Sequence, residues 1–313
     1  MPNPVKRRFA QVDVFTAKPY FGNALAVVLD GTGLSDAQMQ RFAAWTNLSE
    51  TTFILPPTAD GADYQVRIFT TAYEMPFAGH PTLGSCHAWL ANGGAPKDPA
   101  RVVQQCQVGL VPIQRDGQRL AFAAPPLQRQ AADEALWQAL PSALGVAPQN
   151  ILAAQHLNNG PHHFGLLLDS VDTLLDVQPK LAQLQSLMAQ GGFTGLGIAA
   201  RHDRPSPLIA RSNREARAFG SRAGTLSPGD APDLEVRFFF DRGDGVSEDP
   251  ITGSFNASLA QWLIADSHAP ARYVAAQGSC MGREGRVFVE QDASGQVWVG
   301  GDSVTCITGE VCL

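Results

Sequence analysis

Gln65-Val66-Arg67-Ile68-Phe69 returns as Glu235-Val236-Arg237-Phe238-Phe239, and the segments downstream of the two copies match as well. Both stretches read as strands, because β-branched and aromatic residues dominate and polar positions sit at the edges. An acidic loop comes next, Tyr73-Glu74-Met75-Pro76 in one copy and Ser247-Glu248-Asp249-Pro250 in the other. Then a Gly turn opens a helix, Gly79-His80-Pro81-Thr82-Leu83-Gly84-Ser85 against Gly253-Ser254-Phe255-Asn256-Ala257-Ser258, and both helices run to a Trp-Leu pair, Trp89-Leu90 and Trp262-Leu263. A weaker echo precedes each copy: Gly22 to Asp30 and Gly160 to Asp169 both lead from a Gly turn into an apolar strand that stops at Asp. Two echoes in the same order point to an internal duplication. Two strand–loop–helix units of this kind can aim two helix N-termini at one ligand.

The chain has 313 residues, enough for two domains that each bury a core. With 44% hydrophobic and 17% charged residues it reads as a globular protein. A net charge of -6 supplies no basic field, so nucleic acid is not an expected partner. No window reaches the ~18 apolar residues of a spanning helix, and the basic N-terminus lacks a signal-peptide core, so no membrane partner is expected and cytoplasmic residence is. The five cysteines include no C-x-x-C pair, which argues against a disulfide framework or a zinc knuckle.

Around the repeats the periodicity predicts an opening strand over Phe9–Thr16 and a second over Leu25–Leu29. A helix is expected after Ser35 or Asp36, with Met39, Phe42, Ala43 and Trp45 on one face. Further strands are expected at Thr51–Leu55, Val102-Val103, Val108–Ile113 and Leu120–Ala123, and Ala124-Pro125-Pro126 reads as a domain boundary. Beyond it, Asp133–Leu144 and Lys180–Ala189 read as helices, Phe164–Leu168 as a strand, Asp203–Asp233 as loop and the tail as strands. Strands outnumber helices, with about one long helix per domain, which fits α+β better than a doubly wound sheet. The expected domains are 1–124 and 125–297, the last strands at about 298–313 being candidates to return to the first.

No phosphate loop or dinucleotide fingerprint occurs, and Gly195-Leu196-Gly197 is too short to be one. Gly278-Ser279-Cys280-Met281-Gly282 has the spacing of a nucleophile elbow but no following helix, so it reads as a turn between strands. Neither a cofactor nor a metal is expected. Glu50 is the more informative acid. It follows a helix and precedes Thr51-Thr52-Phe53, so it has no helix to cap, and neighbouring Leu48 and Phe53 suggest an apolar setting that would raise its pKa toward neutrality. An exposed loop carboxylate is the plainer alternative. The two Gly-turn helices suit an anionic ligand, because a helix N-terminus presents unpaired N–H groups and partial positive charge; ordinary Gly-initiated helices are again the plainer reading.

Five ordered motifs carry a resemblance over nearly the whole chain. They are Phe21-Gly22-Asn23-Ala24, Ser49-Glu50-Thr51-Thr52-Phe53, Pro76-Phe77-Ala78-Gly79-His80-Pro81-Thr82, Glu248-Asp249-Pro250-Ile251-Thr252-Gly253-Ser254, and Gln277-Gly278 with Met281-Gly282-Arg283. Together they resemble the phenazine biosynthesis PhzF-like isomerases, which have the diaminopimelate-epimerase-like fold. The resemblance implies an α+β chain of two pseudo-duplicated domains, each a curled sheet around a central helix, with the active site in the cleft between them. It further implies a cofactor-free proton-transfer enzyme, commonly a homodimer, acting on a small carboxylate-bearing substrate. By motif, the catalytic acid/base falls on Glu50, and His80 and Asp249 contact the substrate and relay protons. Gly79, Gly253 and Ser254 receive the carboxylate, and Asn23 lines the same site. Epimerisation or racemisation of an amino or hydroxy acid is one alternative, and a non-catalytic metabolite-binding protein is another. Racemase cousins place a cysteine at each helix start, where this chain has Ala78 and Thr252. The chain departs from the family pattern at Thr70-Thr71 and at Phe255, whose bulk is expected to narrow or reshape the cleft.

Overall fold

The computed structural model describes residues 5–202, 231–243 and 245–313. Most of the expected loop over Asp203–Asp233 lies outside the described residues. The chain divides into two compact units, 1–123 with 298–313, and 124–297.

The first unit is built on β1 (Lys6–Val14), β2 (Asn23–Val28), α1 (Asp36–Thr46), β3 (Thr51–Leu55), β4 (Tyr64–Phe69), β5 (Glu74–Met75) and α2 (Gly79–Ala91). It is completed by β6 (Arg101–Cys106), β7 (Gly109–Asp116) and β8 (Arg119–Ala123), and by the late strands β17 (Val297–Gly301) and β18 (Ser303–Cys312). Strand order is β18-β1-β2-β3-β4-β6-β7-β8-β17, with β5 added to the far end of β4. Since β17 runs directly into β18, the sheet curls round until its two ends are chain neighbours. Helix α2 packs against β1, β2, β3, β6, β8 and β18, which places it inside that curl. Its sequence explains the position. Nine of its thirteen residues are buried, so it has no polar face to give to water and must be enclosed. Pro81 sits in the first turn, where the missing N–H costs nothing. Gly84 lets the helix approach β1 and β2, since a Cβ there would stand 2.8 Å from Val14 and 2.6 Å from Leu25.

Helix α1 covers another part of the same sheet. Ser35 caps it in a capping box with Gln38, and Met39, Phe42 and Ala43 pack on Phe53 and Phe69. Trp45, expected on that buried face, is exposed and only stacks along Phe42. The helix stops at Asn47, which takes the left-handed conformation (φ 56°) that asparagine tolerates better than most residues.

The second unit contains β9 (Gln128–Ala131), α3 (Glu134–Leu144), β10 (Ile151–Asn158), β11 (His162–Leu168), α4 (Val171–Asp176), α5 (Leu181–Gly191), β12 (Gly195–Arg201) and β13 (Leu234–Asp241). It continues through β14 (Val246–Asp249), α6 (Gly253–Ala265), β15 (Arg272–Gln277) and β16 (Gly285–Gln291). Its order is β9-β10-β11-β12-β13-β15-β16, with β14 on β13. The pattern of the first unit recurs pair by pair. β11–β12 is parallel like β2–β3, β12–β13 antiparallel like β3–β4, and β13–β15 parallel like β4–β6. Helix α6 is the counterpart of α2, again with nine of thirteen residues buried. Helices α3, α4 and α5 contribute Leu136, Leu140, Leu174, Leu184 and Met188 to a separate apolar cluster with Phe164, Ile198 and Phe239. The expectation of about one long helix per domain is therefore corrected. Each sheet has one enclosed helix, and further helices cover its other face.

The acidic segments are not loops, as the sequence suggested, but the short strands β5 and β14. Each returns a glutamate to the repeated arginine. Arg67 makes a two-pronged contact with Glu74 at 2.7 and 2.5 Å, and Arg237 makes the same contact with Glu248 at 2.9 and 2.9 Å. Both guanidinium groups also lie over a ring two residues on, Phe69 at 5.0 Å and Phe239 at 5.1 Å. The duplication thus extends to a side-chain device. Among the described residues, no helix is long and apolar enough to cross a membrane.

Candidate active site

In the first unit, Glu50, His80 and Asn23 meet. Glu50 occupies the junction where α1 has ended and β3 has not begun, so its backbone is fixed from both sides. His80 is the second residue of α2, and Asn23 is the first residue of β2. The His80 Nε2 and Glu50 Oε2 atoms lie 3.3 Å apart, without the alignment of a hydrogen bond. On the other edge of the ring, Asn23 Nδ2 stands 3.4 Å from His80 Nδ1. An amide nitrogen can only donate, so Nδ1 is the acceptor and the ring proton sits on Nε2, on the edge of the ring nearer Glu50. Burial pushes His80 down to about 3, and the imidazole is uncharged at neutral pH. The contact is therefore between a carboxyl group and a neutral N–H donor. Glu50 is not the exposed loop residue of the plainer reading, since its side chain is only 15% exposed.

Gly79 opens α2 behind the N-cap residue Ala78, whose side chain offers no cap, so the first-turn N–H groups are not consumed by a capping side chain. The second unit repeats this arrangement with a difference. Gly253 and Ser254 open α6 behind Thr252, whose hydroxyl also makes no cap bond to its own helix. It donates instead to Asp249 Oδ2 at 2.5 Å. Asp249 is the last residue of β14, and Asn159, just after β10, donates to the Ser254 carbonyl at 3.0 Å. Sequence reasoning named Glu50, His80, Asn23, Asp249, Gly79, Gly253 and Ser254. It did not identify the buried Gln277 at the end of β15, which contacts both Asp249 and Thr252. The motif Gln277-Gly278 carried that signal without a role.

Phe255 corrects an expectation. Its ring does not face outward from the helix start but is completely buried, tilted on Phe238 with centroids 5.0 Å apart and edge-on to His163 at 5.9 Å. Gly197 makes room for it, and Gly195 does the same for Phe238. The Gly195-Leu196-Gly197 run is thus a strand notched for two aromatic rings. Gly278 to Gly282 is a turn between β15 and β16, with one turn of 3₁₀ helix between two glycines of positive φ (93° and 68°). Burial raises Cys280 to about 11, which opposes a thiolate nucleophile there. Burial likewise raises Cys86, within α2, to about 12. Among the described residues, no three His, Cys, Asp or Glu side chains gather as a metal site requires.

The family model described as phenazine biosynthesis-like protein (PhzC-PhzF) matches residues 12–309. The protein named antisense-enhancing sequence 1 of Schizosaccharomyces pombe is 30% identical, across 96% of this chain and 97% of its own length. The trans-2,3-dihydro-3-hydroxyanthranilate isomerase of Pseudomonas fluorescens is 35% identical, across 69% of this chain and 77% of its own length. Among solved structures, a Bacillus anthracis phenazine biosynthesis protein of the PhzF family superposes with a TM-score of 0.79 at 21% identity, covering 99% of this chain and 100% of that one. A hydroxyproline epimerase from Agrobacterium vitis gives 0.56 at 12% identity, with 98% and 93% covered. The fold is accordingly diaminopimelate-epimerase-like.

Proposed function

The chain belongs to the phenazine biosynthesis-like family, and from that premise we propose that it is a cofactor-independent isomerase that moves a proton between carbons of a small carboxylate-bearing substrate. The observation that supports this most is the approach of the Glu50 carboxyl group to within 3.3 Å of Nε2 of a neutral His80. In this reading Glu50 takes the proton from a carbon made acidic by conjugation, then returns it to another carbon on the same face. His80 donates from Nε2 to the developing negative charge, and Asn23 keeps the proton on that nitrogen. The N–H groups at the start of α2 and α6 take the substrate carboxylate, at Gly79 and at Gly253-Ser254. Asp249 holds a polar substituent in the same reaction.

The helix starts supply no thiol pair, since Ala78 and Thr252 occupy those places. That favours one-base isomerisation over two-base racemisation. The named activity of the 35% identical relative makes trans-2,3-dihydro-3-hydroxyanthranilate the first substrate to test. Incubation in D2O should yield product with deuterium at one carbon, while Glu50→Gln should abolish turnover and leave the fold intact. Turnover by Glu50→Gln near the wild-type rate would refute the assignment of the proton to this residue.

A further inference from the structure

The second unit contains a polar assembly that its duplicated twin lacks. Gln277 is fully buried, and its amide orientation is fixed by groups that have only one hydrogen-bonding role. Its Oε1 accepts the backbone N–H of Thr252 at 3.1 Å and the Nδ2 of Asn256 at 2.8 Å. Its Nε2 therefore faces the other way, donating to the Asp249 carbonyl at 3.1 Å and to Thr252 Oγ1 at 3.1 Å. With Oγ1 accepting from Gln277, the one Thr252 hydroxyl proton is directed at Asp249 Oδ2. Each donor in this relay thereby fixes the direction of the next.

Two observations separate the assembly from ordinary helix capping. Threonine is a good N-cap residue, and a cap bond to its own helix is worth ~1 kcal/mol. Thr252 forgoes that bond and turns its hydroxyl back to Asp249. The second observation is internal to the chain. Strand register and loop length align the two copies: Phe238 faces Asp249 as Ile68 faces Met75, and three residues separate Glu248 from Thr252 as they separate Glu74 from Ala78. The parallel pairings Gln65–Gln105 and Glu235–Ala276 then make Gln277 the counterpart of Cys106. Asp249, Thr252 and Gln277 thus stand where the first unit has Met75, Ala78 and Cys106. The three polar residues occur as a set in one copy and are all replaced in the other.

We infer that Thr252 and Gln277 are positioning residues that hold the Asp249 carboxylate in one orientation for the reaction. The inference rests on the isomerase reading for what Asp249 does there, and on the hydrogen bonds alone for how it is held. Thr252→Val keeps the shape and removes the hydroxyl. Gln277→Glu keeps the shape and replaces the donor with an acceptor, which draws the Thr252 proton away from Asp249.

On trans-2,3-dihydro-3-hydroxyanthranilate, both variants should lose ~10²-fold in kcat, the scale of a misplaced catalytic group, with KM little changed. Thr252→Ser, which restores the hydroxyl, should recover most of that loss. A purely structural role would lower the folded fraction without this split between kcat and KM. Crystal structures of the variants supply a readout that needs no substrate. The Asp249 side chain should leave its present position in Thr252→Val and Gln277→Glu and keep it in Thr252→Ser. If the wild type is inert on the probe, that compound is excluded as substrate, and the crystallographic comparison still decides the positioning. An Asp249 carboxylate unmoved in both variants, or Thr252→Val turning over at the wild-type kcat, would overturn the inference.

Discussion

Gly197→Ala should destabilise the second unit, and the geometry sets the scale. An added Cβ would lie 2.0 Å from Cζ of Phe255, 2.2 Å from Cε1 and 2.5 Å from Cε2, against the 3.4 Å at which ordinary contact begins. The ring edge must therefore retreat by about 1.4 Å, the difference between 3.4 and 2.0 Å. It has nowhere to go. Phe238 and His163 hold it from two sides, and Phe238 is itself seated over Gly195. Gly197 does not have a positive φ, so backbone strain plays no part. Alanine would even stabilise by ~0.4–1 kcal/mol through the unfolded chain. Overpacking at ~1–3 kcal/mol outweighs this, for a net loss of about 1 kcal/mol. Phe255→Leu should cost about 1–2 kcal/mol by itself, as a large-to-small core change. In the double variant the smaller side chain vacates the space the new Cβ needs, so the combined loss should fall short of the sum by at least ~1 kcal/mol. Urea denaturation of the four proteins measures this from the midpoints, provided the slope is unchanged. Equal stability of Gly197→Ala and wild type, or a double variant whose cost equals the sum, would refute the packing argument. Phe255→Leu should leave the KM unaltered. A changed KM at unchanged stability would return Phe255 to the substrate site.

The two arginine–glutamate forks should differ in worth. Glu248→Gln removes the carboxylate partner of an arginine whose side chain is 6% exposed, leaving it the Leu174 and Val177 carbonyls, and should cost ~3–5 kcal/mol, whereas Glu74→Gln leaves Arg67, 21% exposed and still paired to Asp36, and should cost clearly less in the same urea assay. Reversal of that order would refute the burial argument. His80 should titrate near 3 in ring NMR spectra, with the neutral-state proton on Nε2. A midpoint near 6.5 would show the ring to be solvated. Because the folded value lies below the unfolded one, this group's contribution to stability is complete above about pH 6.5 and is lost as pH falls from there towards 3. His163, also pushed to about 3 by burial, contributes with the same sign. Stability measured between pH 7 and 4 should therefore fall less steeply in His163→Asn than in wild type.

Much of this architecture is legible locally. A strand of β-branched and aromatic residues, a Gly turn and the helix it opens each arise from short-range pattern. That is why β4 with α2 and β13 with α6 could be read from residues alone. Trp45 shows the limit. It has the right spacing for the buried face of α1, yet it is exposed and only stacks along Phe42. The acidic strands β5 and β14 are two and four residues long, too short for periodicity to register. Strand β12 was obscured by Gly195 and Gly197, glycines that make sense only once the rings of Phe238 and Phe255 are seen above them.

The enclosed helix of each unit and the roles of His80 and Asp249 came with the family resemblance, whereas by itself the sequence determined that two like strand–loop–helix units are present and that Glu50 stands at a helix-to-strand junction. Those properties depend on residues within a few positions of one another. Tertiary structure decided the direction and state of the side chains. It turned Phe255 into the core, made His80 neutral by removing it from water, and set Asn23 against one ring nitrogen and Glu50 against the other. It also brought Gln277 to Thr252 across 25 positions of chain through the parallel pairing of β13 with β15. Burial and strand register arise only when distant segments pack together, and no local pattern in the chain encodes them separately.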